Sequence, residues 1–330
     1  MQKSDCYDLQ IDAAERMAKS IDVISDLKLE KLGEIDTELD PNQTGLIGGE
    51  FTKLTTTLGD LSAKRTSTNP DFAALVVSYF HELGLKKGDY VAVGSSGSFP
   101  SLALAVMCAA ESMELNSIFI YSIGSSMYGA NLEEFTFIEF YKALVDEGIL
   151  HDRMVAVSKG GVYDQAAGML FPDSPEIIES IALSSEKQYI NEPSLVESIH
   201  KRMEIFEKES NGERIKAFVN IGGASANFGN ITESISFPNG LTVEYDEKIS
   251  DDPERGLIFE YLDMGIPVIH LLNIIDLALK NGISVDPVPL PEIGKSEIYF
   301  KKSYNTPLII FSIVLIFFLL LVYRLVWRKK

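Results

Sequence analysis

Apolar residues recur at helical spacing over residues 8–32, where Leu9, Ala13, Met17, Ile21, Ile24 and Leu27 predict an amphipathic helix. A turn-rich stretch follows at 40–49, and the threonine-rich segment 52–59 reads as strand or ordered loop. Asn69-Pro70 predicts a helix start, with Asn69 as N-cap and Pro70 at the first helical position, and Gly84 ends that helix. From there the pattern alternates. Apolar runs at 90–93, 117–121, 154–157, 217–220 and 267–270 predict strands, with helices near 99–114, 134–147, 195–210 and 273–281 between them. Strands alternating with helices imply βαβ crossovers, and hence an α/β fold: a doubly wound, mostly parallel, Rossmann-like sheet covered on both faces. Residues 231–245 look like a short β-rich insertion, and Pro287-Val-Pro-Leu-Pro291 an extended linker.

The pattern changes once more near the end. Residues 307–323 carry no charge, and with Arg324 snorkelling the apolar stretch reaches about 20 residues, enough for a single C-terminal transmembrane helix. Tyr304, Tyr323 and Trp327 fall where interfacial aromatics belong, and Arg328, Lys329 and Lys330 close the chain. The expected organisation is an N-terminal amphipathic helix (1–36), an α/β domain (37–286), a juxtamembrane linker (287–305) and the membrane helix with its basic tail (306–330). The four basic residues after the span, against Lys295, Lys301 and Lys302 before it, lean toward a cytoplasmic tail and an extracytoplasmic domain. The first ten residues have no hydrophobic region, so that orientation implies an upstream anchor; a tail-anchored cytoplasmic domain is the alternative.

Composition narrows the chemistry. The 330 residues carry 29 basic against 48 acidic side chains, a net charge of -19. That excludes the basic stripe a nucleic-acid surface needs, and any anion must be held locally against a repulsive field. No Cys/His cluster has metal spacing, no cofactor fingerprint appears, and Cys6 and Cys108 read as one surface and one buried free thiol. His81 and His200 read as surface residues.

Ligands of such sheets bind beyond the carboxyl ends of the strands. The segments there are rich in glycine and hydroxyls: Gly94-Ser95-Ser96-Gly97-Ser98, Gly124-Ser125-Ser126 with Asn131, Ser158-Lys159-Gly160-Gly161, and Gly222-Gly223. Together they predict a polar cleft suited to carboxylate or phosphate oxygens. Lys64 and Arg65, with Lys159, are the candidate cations. Neither a phosphate-binding Gly-x4-Gly-Lys-Ser/Thr loop nor a Gly-x-Ser-x-Gly elbow is present. Ser96 or Ser98 with His270 as base is a candidate nucleophilic pair.

Several blocks resemble the poly-γ-glutamate system protein family. They are Glu38-Leu-Asp-Pro-Asn-Gln-Thr-Gly-Leu-Ile-Gly48, Ala63-Lys-Arg-Thr-Ser-Thr-Asn-Pro-Asp-Phe-Ala-Ala74, Val91-Ala-Val-Gly-Ser-Ser-Gly-Ser-Phe-Pro100 and Ile123-Gly-Ser-Ser-Met-Tyr-Gly-Ala-Asn131. Glu192-Pro-Ser-Leu-Val-Glu-Ser-Ile-His-Lys-Arg-Met-Glu204 and Val219-Asn-Ile-Gly-Gly223 extend the likeness over most of the chain. The resemblance implies a membrane component of bacterial poly-γ-glutamate synthesis or export. Its expected partners are γ-glutamyl polymer or oligomers and other membrane subunits; its members carry a hydrophobic segment ahead of the first helix. Three roles follow as expectations: an accessory polymer-binding component, a hydrolase or transferase of γ-glutamyl polymer, or a non-catalytic scaffold.

Overall fold

The computed structural model describes residues 2–301 and 306–327; within the last helix the side chains of 306–309, 322 and 325–327 are not described. Seven strands form the central sheet: β1 (Tyr90–Ser96), β2 (Asn116–Ser122), β3 (Met154–Ser158), β4 (Gln188–Ile190), β5 (Ile215–Ile221), β6 (Gly240–Thr242) and β7 (Val268–Leu271). Their spatial order is β6-β7-β5-β1-β2-β3-β4. Every pairing is parallel except that of the edge strand β6 with β7. The chain therefore winds outward from β1 through β2 and β3 to β4, crosses back to β5 on the other side of β1, runs to the edge as β6 and returns to place β7 between β6 and β5. The sheet is α/β and mostly parallel, as the alternating pattern predicts, and the winding reverses between β1 and β5.

Side chains alternate cleanly across it. Val91, Val93, Phe119, Tyr121, Val157, Val219 and Ile269 enter one core; Ala92, Ile118, Ile120, Ala156, Phe218 and Val268 enter the other. This period-two division of near-continuous apolar runs is what a sheet buried on both faces requires. The first core is covered by α1 (Tyr7–Leu32), α3 (Asp71–Glu82), α4 (Pro100–Ser112) and α5 (Phe137–Asp146), together with α6 (Ser174–Ser184) and α11 (Ile274–Asn281). The second is covered by α7 (Leu195–Glu209) and α10 (Gly256–Asp263), with the short α8 (Ser225–Phe228) and α9 (Thr232–Ser236) beside them. A further short helix, α2 (Leu61–Ser67), precedes α3, and α12 (Thr306–Trp327) ends the described chain.

Local chemistry explains the element ends. Pro100 opens α4, whose residues 100–110 are all buried, so it is apolar on every side and lies beneath α1 and α3. Gly33 closes α1 in the left-handed conformation, its N–H returning to the Leu29 carbonyl. Asp60 caps α2 by accepting from the Ala63 N–H at 2.7 Å. The helix expected from Asn69 begins one position later, at Asp71: Pro70 occupies the cap position and Asn69 Oδ1 accepts from the Asp71 N–H at 3.0 Å. The threonine-rich segment supplies a short strand, Thr55–Thr57, paired in parallel with Ser125–Ser126. Cys6 corrects the surface expectation: it is buried, as is Cys108, because α1 packs its first turns into the core rather than standing apart from it.

Strands β4 and β6 are three residues each, too short to announce themselves in the sequence. The extended pair Gln2–Lys3 and Phe300–Lys301 ties the start of the chain to the approach to α12. That helix spans 22 residues, and its apolar side chains over 310–321 are exposed. The described side chains fall short of a full span: among the described residues, no helix is long and apolar enough to cross a membrane. Lys302, Tyr304, the Trp327 side chain and the terminal Arg328-Lys329-Lys330 lie outside the described residues.

Among the described residues, one ion pair is fully buried. Arg202 on α7, with Asp164 in the loop after β3, sits beneath the ends of β2 and β3 (Nη2–Oδ2 2.9 Å). The same nitrogen lies 3.1 Å from Ser122 Oγ and 2.6 Å from Ser158 Oγ. Asp164 also accepts from Ser158 Oγ (2.7 Å), Ser198 Oγ (2.6 Å) and the Gly160 N–H (3.0 Å). Removing the cation leaves a buried carboxylate without its countercharge. Arg202→Met is therefore expected to destabilise the protein by about 3–5 kcal/mol, and adding Asp164→Asn to recover a large part of that. Urea unfolding of the single and double variants measures both; an unchanged midpoint for Arg202→Met would show the network to be dispensable.

Candidate functional site

The carboxyl ends of the strands are set level by the parallel register. Ser96 pairs with Ser122, Ser122 with Ser158, and Ile221 with Ser95. Beyond that row, at the reversal between β1 and β5, lies a cavity of about 440 Å³. Its floor and walls come from five loops at this edge: Ser96, Ser98 and Phe99 after β1, Gly124 and Ser126 after β2, Gly160 and Gly161 after β3, Gly223 to Ser225 after β5, and Leu272 to Ile275 after β7. Residues 56–60 with Ala63 and Lys64 form the remaining side. This is where the topology of a doubly wound sheet leaves a crevice, because the loops on either side of the reversal diverge.

Glycine is required at Gly222, where φ is +78° and a Cβ would stand 2.6 Å from Ser96 Oγ. Gly97 is equally confined, since a Cβ there would lie 2.7 Å from the Ile123 carbonyl oxygen. These two glycines let the loops after β1, β2 and β5 approach one another around the cavity.

Lys64 is the chemical centre. It is only 2% exposed, and among the described residues it forms no ion pair. Its ammonium reaches from α2 to the Ser98 carbonyl and to Ser126 Oγ at 2.7 Å, and it lies 3.9 Å from the centre of the Phe99 ring. Burial pushes its pKa down from the usual lysine value to about 7, with the charge of Asp60 opposing only in part. Ser98 Oγ accepts from the Ser126 N–H at 3.1 Å, which joins the loops after β1 and β2 beside the amine. Ser96 lines the cavity, and its buried Oγ has no hydrogen-bond partner among the described residues.

The expected site residues divide sharply. Lys64, Ser96, Ser98, Ser126 and Gly223 come together around the cavity, with Gly97 and Gly222 shaping it from behind. Ser95 points to the opposite side of its strand, and Ser125 is occupied by the Gly97 carbonyl at 2.8 Å. Asn131 is a strut: it accepts from the Gly49 N–H and donates to the Gly49 carbonyl and to Thr55 Oγ1.

Two of the three expected cations do not enter. Arg65 forms a two-pronged pair with Asp286 (Nε–Oδ1 2.7 Å, Nη2–Oδ2 2.6 Å), since successive helical positions face different ways. Lys159 lies 3.6 Å from Glu179 and does not line the cavity.

The candidate base His270 is also displaced. It sits on β7, with β5 between it and β1, and its Nδ1 lies 2.8 Å from Asn220 Nδ2. The ring stacks on Phe228 and meets Phe237 edge-on, and burial lowers its pKa to about 4. It is a neutral core histidine and no partner for Ser96 or Ser98. His81 and His200 are exposed, as expected.

Thr56, Thr57 and Asp60 are cavity residues that the sequence did not single out, because they lie before the sheet begins; Ser225, in the glycine-rich segment after β5, lines the cavity as well. Among the described residues no cluster of acidic, histidine or cysteine side chains has the arrangement of a metal site.

Burying Lys64 makes stability depend on pH. The unfolded chain keeps this amine protonated up to about pH 10.4, whereas the folded protein releases the proton near 7. Between those values the unfolded state binds more protons, so this residue makes stability rise with pH, by on the order of 5 kcal/mol across the whole window. Lys64→Met is expected to be more stable than the parent at pH 6 and to lose that advantage toward pH 10. Parallel unfolding curves at the two pH values measure the difference; a constant offset would mean that Lys64 is not held as a costly buried cation.

No protein-family model matches this chain, and no curated protein matches it in sequence.

Proposed function

We propose that this protein is a membrane-anchored accessory component of poly-γ-glutamate synthesis or export, and that the cavity at the sheet reversal takes a carboxylate of the γ-glutamyl polymer. The observation that supports this most directly is the buried amine of Lys64, which lines the cavity among hydroxyls and glycine backbone at the strand ends, its charge offset only in part by Asp60. A carboxylate entering there supplies the missing partner and restores the ammonium form. The net charge of -19 repels a long polyanion laid across the surface, so one end or a few residues of the chain is the fitting ligand. The choice of this polymer comes from the sequence blocks that resemble poly-γ-glutamate system proteins; the cavity by itself suits any carboxylate of fitting size.

The anchor in this reading is α12. A 22-residue helix rises about 33 Å, the thickness of a bilayer's hydrocarbon core. Basic residues after the span favour a cytoplasmic tail, which puts the α/β domain outside the cytoplasm. The short pairing of residues 2–3 with 300–301 would hold both ends of that domain toward the membrane. Other membrane subunits of the system are the expected protein partners.

Two outcomes follow. Binding of γ-linked glutamate oligomers to the full chain in detergent takes up a proton at Lys64 above pH 7, so affinity falls up to about tenfold per pH unit from 7.5 upward. Calorimetry in buffers of different ionisation enthalpy reads the proton directly, and an absence of binding, or pH-independent binding, would reject the carboxylate site. Separately, the full chain should float with lipid vesicles in a density gradient after reconstitution while a version ending at Lys301 stays behind; equal flotation would remove α12 as the anchor.

A further inference from the structure

We propose that the same cavity is an acyl-transfer site in which Ser126 Oγ is the nucleophile and Lys64 Nζ its general base. This does not rest on the identity of the polymer; any amide or ester carbonyl that reaches the cavity is a substrate of the right class. The pair is built by geometry. Lys64 comes from α2 and Ser126 from the loop after β2, 62 residues apart, and their side chains meet at 2.7 Å with both residues buried on the cavity wall. The amine also donates to the Ser98 carbonyl, which fixes its direction, and the Phe99 ring closes its far side. Ser126 is in turn fixed through its backbone, since its N–H donates to Ser98 Oγ and it pairs with Thr57.

In the ammonium form Nζ donates to Ser126 Oγ. Once the proton is lost, one N–H stays on the Ser98 carbonyl and the lone pair accepts from the serine hydroxyl across the same contact. A lysine whose proton leaves near neutrality is half in that state at pH 7, which an ordinary surface lysine is not. Attack then forms the bond from Ser126 Oγ to the carbonyl carbon while the hydroxyl proton moves to Nζ. Collapse breaks the bond to the leaving amine or alcohol, which takes that proton, and leaves an acyl-serine. Water, or the amine of an acceptor, attacks the ester with Lys64 again accepting the proton, and Ser126 recovers it on release. The buried, unpartnered Ser96 hydroxyl on the same wall is available to donate to the carbonyl oxygen as negative charge develops there.

The full chain in detergent is treated with an alkyl fluorophosphonate, and the adduct is located by intact mass and peptide mapping. One adduct on Ser126 is expected, absent in Ser126→Ala and formed at least tenfold more slowly in Lys64→Met. The labelling rate of the parent rises through pH 7, and that rise disappears in Lys64→Met.

A second measurement guards against a probe that does not fit. Ser126→Cys should alkylate with iodoacetamide at a pH below that of an ordinary thiol, and Lys64→Met in that background should shift the profile upward. Labelling at Ser96 or Ser98 overturns the assignment, as does a Ser126→Cys thiol that behaves ordinarily and ignores Lys64. If both measurements fail while γ-glutamyl oligomers still bind with proton uptake, the cavity is a binding site alone; if labelling succeeds without such binding, the chemistry stands and the polymer does not.

Discussion

The carboxyl edge of the sheet depends on one buried ion pair. Arg202 and Asp164 hold the last residues of β2 and β3 together through Ser122, Ser158 and Ser198, and Asp164 fixes the Gly160 N–H. Strand ends are normally the loosest part of a parallel sheet, because the ladder stops there and loops take over. Here a guanidinium and a carboxylate continue the cross-links past the last backbone bonds, in surroundings where each charge is tolerable only because the other is present. Glycine-rich loops built on such a base can be open without being slack. The cavity inherits its shape from that edge.

Lys64 obeys the opposite rule. It is buried and, among the described residues, forms no ion pair; a carbonyl, a hydroxyl and an aromatic face hold it. Those contacts replace part of its lost hydration but not the countercharge, and its pKa falls accordingly. A core optimised for stability would hold a methionine at this position. Retaining an amine whose charge is unfavourable at neutral pH is the pattern of a residue kept for what enters the cavity, whether an anion that pairs with it or a proton that it takes from a neighbour.

The fold was largely legible in the sequence because apolar runs in a doubly covered sheet are long and distinct. All five expected strands are present: β1, β2 and β3 are lengthened by flanking residues that include serines and Asn116, β5 gains residues at both ends, and β7 keeps four residues but begins one position later, at Val268. The three-residue strands β4 and β6 escaped because pairing with a neighbour, and not their own pattern, makes them strands. The site was legible only in part. Glycine and serine after strands marked the correct edge, but residue type alone did not separate Ser126, beside Lys64, from Ser125, tied to Gly97. Nor did it show that Arg65 turns away to Asp286 while its neighbour Lys64 turns in. His270 failed as a base for a topological reason: following a strand puts a residue at the sheet's edge, yet β5 stands between β7 and β1.

Net charge and local chemistry pull in different directions, and together they define what fits. At a net charge of -19, the surface discourages a polyanion, and this discouragement weakens beyond about 8 Å at physiological salt. Inside the cavity, the low-dielectric walls strengthen any interaction with Lys64, and the hydroxyl of Ser96 has no competing partner. A ligand that presents one carboxylate or one polarised carbonyl at its tip gains the local interaction with little surface repulsion. A chain of carboxylates lying flat gains the same interaction once and meets the repulsion at every residue. In the proposed reading the cleft favours an end over a track, whether the carbonyl is only bound or also attacked.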